Sequence, residues 1–169
     1  MILISPLFFG LLTAAGALVA ELFIFSFFIQ DPAVYSTART NANFVFATGG
    51  ITFLSLSALI EECSKYALLR QTLPPEASFL RTLLFLILFS IGFSGLEITL
   101  LILGNPLINT AATLHIGGVF LIHLTTISLF GYALSHRSLR KFSALFIPAA
   151  FLVHFLYNVA ILYKDTLHV

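Results

Sequence analysis

Long apolar stretches alternate with short polar breaks along this chain. The breaks are QDPAVYSTARTNAN, QTLPPEAS, GNPLIN and SHRSLRK. The segments between them are long enough for helices, which need roughly 20 apolar residues to cross about 30 Å of hydrocarbon, whereas barrel strands would show alternating runs of about 10. The pattern therefore predicts five membrane-spanning helices, at about residues 2–29, 44–72, 79–104, 108–135 and 141–163.

Composition supports a membrane protein. The chain has 169 residues, of which 59% are hydrophobic and 9% are charged, with a mean hydropathy of +1.05. This is too much apolar surface for a soluble core of that size. Because the polar breaks are short, we predict one integral membrane domain over residues 1–169, an all-α polytopic transmembrane helix bundle. The lipid bilayer is its first partner, and the sequence does not indicate an oligomeric state.

Charge gives the orientation and excludes one class of partner. The net charge is +1 and no long basic cluster is present, so nucleic acid is not an expected ligand. By the positive-inside rule we predict a multi-pass protein of the cell (inner) membrane with a cytoplasmic N-terminus. No Lys or Arg precedes the first span, which favours a retained helix over a cleaved secretion signal. The basic residues on the predicted cytoplasmic side are Arg70, Arg81, Arg137, Arg140 and Lys141, against Arg39 and Lys164 on the other.

The second predicted span carries three charged residues near its middle, in the stretch LIEECSKYALLR. A charged side chain at the centre of a membrane helix costs about 2.5–3.5 kcal/mol, so Glu61, Glu62 and Lys65 are expected to face the inside of the bundle. Lys65 follows Glu61 by four residues and Glu62 by three, so one ammonium can reach both carboxylates and neutralise one of them. Cys63, which points away from this face, is expected to be a buried and inert thiol.

Other spans place polar residues at a similar depth. Counted from the cytoplasmic ends at 1.5 Å per residue, the polar residues of four spans lie roughly 18–22 Å into the membrane. This predicts a polar layer, provided that the third span lies near the second. Glu21 and His115 fall closer to the outer side and are left out of the layer. Structural pairing, such as a Glu–Lys clamp or an interhelical histidine contact, is the alternative interpretation. The layer comprises Glu61, Glu97, His123 and His154 with Asn158 one turn later.

These residues form an ordered series of motifs. EECSK (61–65) looks like EExxK, FSGLE (93–97) looks like FxxxE, HLTTISLFGY (123–132) is similar to a histidine segment ending in Gly-Tyr, and HFLYN (154–158) looks like HxxxN. In this order the chain resembles the PrsW-type intramembrane proteases, which are related in motif layout to type II CAAX prenyl endopeptidases and to bacterial ABI proteins. The resemblance covers roughly residues 45 to 160.

The resemblance implies hydrolysis of a peptide bond in or beside a transmembrane segment of a membrane-anchored protein. Lys65 and Phe93 would be structural support. The CAAX group has a histidine where this chain has Glu97, so the sequence follows the PrsW side and prenylated substrates are not expected. The chain also has fewer spans than typical PrsW-like proteins. The functional positions carried over by the motifs are Glu61, Glu62, Glu97, His123 and His154.

The residues themselves suggest how water would be activated. Glu61 is our choice of general base, with Glu62 held by Lys65, while His154 and Asn158 are placed to donate hydrogen bonds to an oxyanion. His123 or Glu97 could share the water.

Other interpretations stay open at this stage. A zinc site is possible because carboxylate and imidazole ligands with an open position suit Zn²⁺. Outside hydrolysis, a small proton or ion transporter and a non-catalytic membrane scaffold are the alternatives. The alternative metal ligands are Glu61, Glu97, His123 and His154.

Overall fold

The computed structural model describes residues 4–28, 50–74, 77–104 and 110–167. Every element in these ranges is helical, which confirms the predicted all-α fold class. The predicted break at 30–43 and the predicted helical residues 44–49 lie outside the described residues. The helices are α1 (Ile4–Phe28), α2 (Gly50–Thr72), α3 (Phe79–Gly104), α4 (Thr110–Ser135), the short α5 (Arg137–Arg140) and α6 (Ile147–Leu167), with a 3-10 turn at Ser143–Phe146.

Among the described residues, four of the five long helices are long and apolar enough to cross a membrane. These stretches are Ser5–Ile24 in α1, Phe79–Leu103 in α3, His115–Ser135 in α4 and Ser143–Ile161, which includes most of α6. Helix α2 is not in this set, since it carries four charged residues in the 23 residues of Gly50–Thr72. That α2 also crosses the membrane, as the fifth span, stays a prediction.

The last long helix begins later than the sequence predicts. The expected start was residue 141, but residues 141 and 142 form a turn, a 3-10 turn follows, and α6 begins at Ile147. Pro148 explains this start because proline lacks the N–H that a helix interior needs and fits the first turn. The Ser143 hydroxyl donates to the Arg140 carbonyl at 2.7 Å and lies 3.0 Å from the Tyr66 hydroxyl, which anchors the turn to α2.

The five long helices pack in a ring. Helix α1 packs against α3 and α2, α2 against α6, α6 against α4, and α4 against α3, while α2 and α4 also touch across the ring. The main neighbours of α3 are therefore α1 and α4 rather than α2. The polar layer forms all the same, because α4 carries a histidine between α2 and α3.

Two glycines bring α1 and α3 into close contact. A Cβ atom on Gly92 would collide with the carbonyl oxygen of Leu7, and a Cβ atom on Gly10 would collide with that of Phe89. Small residues at a helix interface let two backbones approach in this way. The close pair holds α1 against the bundle, and α1 supplies one wall of the cavity described below.

One end of the bundle is closed by packing and by a cap. Leu69, Phe89 and Phe130 belong to the buried apolar core there. Arg140 donates to the carbonyl of Leu134 at 3.0 Å and to that of Arg70 at 3.2 Å, so it joins the C-terminal ends of α4 and α2, whose last carbonyls lack helical partners. The polar residues of the predicted layer lie in the middle of the bundle, beyond this closed end.

Candidate functional site

The inward face of α2 holds a buried ion pair. The side chains of Glu62 and Lys65 are fully buried, and the Lys65 Nζ atom lies 2.6 Å from Glu62 Oε1. The same Nζ atom lies 3.8 Å from Glu61 Oε2. Lys65 therefore reaches both carboxylates, as the helical spacing predicts, and is bonded to Glu62.

His123 connects α2 with α3. Its Nδ1 atom lies 2.8 Å from Lys65 Nζ, and its Nε2 atom lies 2.5 Å from Glu97 Oε2. An ammonium can only donate, so Nδ1 accepts from Lys65. In the neutral ring the proton is then on Nε2, which donates to Glu97. Both ring nitrogens of His123 are thus occupied, and we assign its tautomer from these two partners.

His154 has the opposite arrangement. Its Nδ1 atom lies 2.7 Å from Glu62 Oε1, and because a carboxylate accepts, the proton of neutral His154 is on Nδ1. This leaves a lone pair on Nε2, which lies 4.0 Å from Glu61 Oε2. The two histidine rings are perpendicular, with centroids 5.2 Å apart. His154 thus presents an acceptor toward Glu61.

Phe93 packs against the charged groups. Its ring centroid is 4.8 Å from that of His123 in an edge contact, and the Lys65 Nζ atom lies 4.5 Å from the Phe93 centroid. A cation over an aromatic face in a desolvated site is stabilised by about 2 kcal/mol. Phe93 is buried, so it restricts the positions of both neighbours, and its supporting role stays a prediction.

A cavity of about 380 Å³ lies on the other side of this network, in the half of the bundle away from α5. Glu61 and Glu97 line it together with Phe93, whereas Glu62, Lys65 and both site histidines lie beneath its surface. The Glu61 Oε2 atom is buried and has no hydrogen-bond partner among the described residues. The polar groups that line the cavity are Glu21, Ser57, Glu61, Glu97, His115, Tyr157 and Asn158.

The cavity includes two ionisable residues that were left out of the predicted layer. Glu21 on α1 and His115 on α4 line it on the side away from the buried network. Their positions along the helices lie farther from the α5 end than the predicted layer, but the cavity extends to that level. The signal used for the other residues, an ionisable side chain within a membrane helix, also identifies Glu21 and His115, and only the depth count excluded them from the layer. Tyr157, which was also missed, lies 3.3 Å from the carbonyl oxygen of His115 and donates its hydroxyl to it.

The geometry separates the two residues predicted as an oxyanion hole. Asn158 lines the cavity, so its amide is placed to donate there. The N–H of neutral His154 is instead bonded to Glu62, beneath the cavity surface. The arrangement therefore favours Asn158 alone as the donor from α6.

Cys63 is exposed on the side of α2 that faces away from the bundle, so the prediction of a buried thiol was wrong. Glu62 and Lys65 take the buried positions of this turn, so the residue between them is turned outward.

Three of the side chains could hold a metal ion by distance alone. Glu61, His123 and His154 each offer one ligand atom, and these atoms lie within 4.8 Å of one another. The set mixes carboxylate and imidazole, which suits zinc. The hydrogen bonds of these residues decide which of the atoms keeps a lone pair for a metal.

Comparison of the chain with protein-family models, with curated proteins and with solved structures gives no match.

Proposed function

We propose that this chain is an intramembrane endopeptidase that hydrolyses a peptide bond in or beside a transmembrane segment of a membrane-anchored protein. The motif series supports the class of enzyme. The observation that carries the proposal is a pair of acceptors just beneath the cavity wall, Glu61 Oε2 and His154 Nε2, which lie 4.0 Å apart. The buried Glu61 Oε2 has no hydrogen-bond partner among the described residues.

Two acceptors at this distance suit one water molecule. A water can donate one hydrogen to each, since hydrogen bonds of about 2.7–2.8 Å to both reach across 4.0 Å at nearly the natural angle of water. Its oxygen lone pairs then remain free. A water held in this way beside a cavity is oriented for attack on a carbonyl carbon.

The reaction follows from this placement. Glu61 takes one proton as the water oxygen forms a bond to the carbonyl carbon, with His154 Nε2 holding the second hydrogen. The Asn158 amide donates to the developing oxyanion. When the C–N bond breaks, Glu61 returns its proton to the leaving amine. No residue becomes covalently attached to the substrate.

The buried network holds these groups in position. Glu62 accepts from His154 Nδ1 at 2.7 Å, which keeps the lone pair of His154 directed at Glu61. Lys65 donates to Glu62 and so fixes that carboxylate. His123 donates to Glu97, which fixes the second carboxylate of the cavity. In this proposal Glu61, His154 and Asn158 contact water or substrate, and Glu62, Lys65 and His123 are positioning residues.

The lining of the cavity supports a membrane-embedded substrate. Apart from its polar groups it is formed by apolar side chains such as Leu54, Leu96, Leu100 and Ile161. A volume of about 380 Å³ is at the lower end of the range for ligand sites, so it accommodates a short stretch of chain. An apolar segment that has been unwound locally fits these walls and would present its backbone to Glu61.

The test compares N-termini in membranes from cells carrying the wild-type chain, Glu61→Gln or Thr125→Val at matched abundance. Thr125 is exposed on α4 and serves as the control substitution. We expect new N-termini within or next to a transmembrane segment with the wild type and Thr125→Val, and none with Glu61→Gln. Identical profiles for all three, with Glu61→Gln folded, would refute the protease. Proton flux in liposomes that Glu97→Gln abolishes would then identify a transporter, and a loss of partner binding alone would identify a scaffold.

A further inference from the structure

Lys65 occupies the position in the cluster where a metal ion would neutralise the carboxylates. Its Nζ atom lies 2.6 Å from Glu62 Oε1, 2.8 Å from His123 Nδ1 and 3.8 Å from Glu61 Oε2, and its side chain is fully buried. These partners are a carboxylate pair and an imidazole, the groups that bind divalent metals in proteins. The ammonium is their shared cation.

The same contact blocks His123 as a metal ligand. If a metal bound Nδ1, it would need the lone pair that accepts from Lys65. If it bound Nε2, neutral His123 would carry its proton on Nδ1, where it would face the N–H of the ammonium 2.8 Å away. A metal-bound histidine instead donates its other N–H to an acceptor. Of the two histidines, His154 meets that requirement because its Nδ1–H donates to Glu62, and His123 does not.

We infer that the Lys65 ammonium takes the place of a divalent metal in this cluster and excludes zinc, so that Glu61 and His154 act on water without a metal. The distances argue against the zinc site that residue types alone allow. The action of Glu61 and His154 on water rests on the proposed function, whereas the exclusion of a metal by Lys65 depends only on the contacts within the cluster.

Removing the charge while keeping the length of the side chain should open the site. In Lys65→Met the carboxylates Glu61 and Glu62 lose their cation, and His123 is free to carry its proton on Nδ1 and to present Nε2. Uncompensated buried carboxylates favour a bound cation. The variant should then bind a divalent metal through Glu61, His123 and His154.

The experiment measures Co²⁺ binding to the purified chain in detergent, by visible absorption and by metal content. We expect less than about 0.1 ion per wild-type chain and about one ion per Lys65→Met chain, a rise of roughly tenfold. Lys65→Arg, which keeps the charge, should remain without metal. Adding His154→Ala to Lys65→Met should abolish the absorption.

Three outcomes would overturn the inference. They are stoichiometric cobalt on the wild type that is lost in His123→Ala, stoichiometric cobalt on Lys65→Arg, or absence of cobalt from a folded Lys65→Met. Should Lys65→Met not fold, Lys65→Gln replaces it, because a neutral amide still donates to Glu62. Cleavage is not measured here, so a failure of the proposed protease would show only in the N-terminal profiles.

Discussion

Glu61 and Glu62 are neighbours in the chain with different surroundings. The Oε2 atom of each is buried and has no hydrogen-bond partner among the described residues. Glu62 Oε1, however, accepts from both Lys65 and His154, whereas Glu61 lines the cavity. In Glu62→Gln a buried ammonium loses its closest carboxylate, so we expect the free energy of unfolding to fall by about 3 kcal/mol. Glu61→Gln should change it by less than about 1 kcal/mol. Denaturant unfolding of both variants in detergent measures these two changes. Equal losses of unfolding free energy would contradict the assignment of Glu62 as the supporting carboxylate and Glu61 as the reactive one.

The sequence could predict which residues meet but not how they bond. The rise of 1.5 Å per residue placed Glu61, Glu97, His123 and His154 at one depth, and spacing alone paired Lys65 with Glu61 and Glu62. The tautomers of the two histidines depend on partners from other helices, which no single helix reveals. The contact between Lys65 and His123 joins residues 58 positions apart on two different helices, so the spacing within one helix could not predict it.

Contact between α1 and α3 should depend on Gly92 of α3 and not on Gly95, the next glycine along that helix. A Cβ atom on Gly92 would meet the carbonyl of Leu7, while a Cβ atom on Gly95 would meet nothing within 4 Å. Gly92→Ala forces two backbones apart, so we expect it to lower the free energy of unfolding by about 1–3 kcal/mol. Gly95→Ala should be neutral or stabilise by up to about 1 kcal/mol. Unfolding of the matched pair in one detergent measures the difference, and a loss in Gly95→Ala as large as that in Gly92→Ala would contradict the packing.

The ends of α2 and α4 should depend on Arg140. Its guanidinium donates to carbonyls at the end of each helix, and lysine lacks the planar fork needed to reach both. We expect both Arg140→Ala and Arg140→Lys to lower the free energy of unfolding, by about 1–2 kcal/mol for alanine. Arg137 is exposed, and Arg137→Ala, the control, should stay within about 0.5 kcal/mol. Full stability in Arg140→Lys would show that charge alone is sufficient.

Helix ends were predictable where composition changes sharply. Helix α3 begins at Phe79 and ends at Gly104, as predicted, because a Pro-containing break precedes it and a Gly-Asn-Pro break follows. The start of α6 was not predictable in the same way, because the residues from 141 to 146 are apolar enough for a helix and only Pro148 sets the start. The ring order of the helices depends on contacts such as those of Gly10 and Gly92, which hydrophobic pattern does not encode.

At the scale of the whole molecule, α2 differs from the other long helices because its charges lower its hydropathy. The side of α2 that faces away from the bundle nevertheless presents Leu59 and the single cysteine, Cys63. Cys63 lies nine residues before the end of α2, about 14 Å along its axis. If α2 crosses the membrane, the thiol faces hydrocarbon, where water and thiolate are excluded.

We therefore expect Cys63 to resist a charged maleimide in native membranes, both sealed and opened, and to react after unfolding in SDS. The control is Cys63→Ser combined with His136→Cys, which places the thiol in the exposed connection between α4 and α5. It should react in native membranes, and in sealed vesicles only from the cytoplasmic side if the basic residues orient the chain as predicted. A rate for Cys63 equal to that of the control would place the outer side of α2 in water. Glu61 and His154 would then lie at an edge of the bundle that water reaches directly. The prediction that α2 is a fifth membrane span would be wrong.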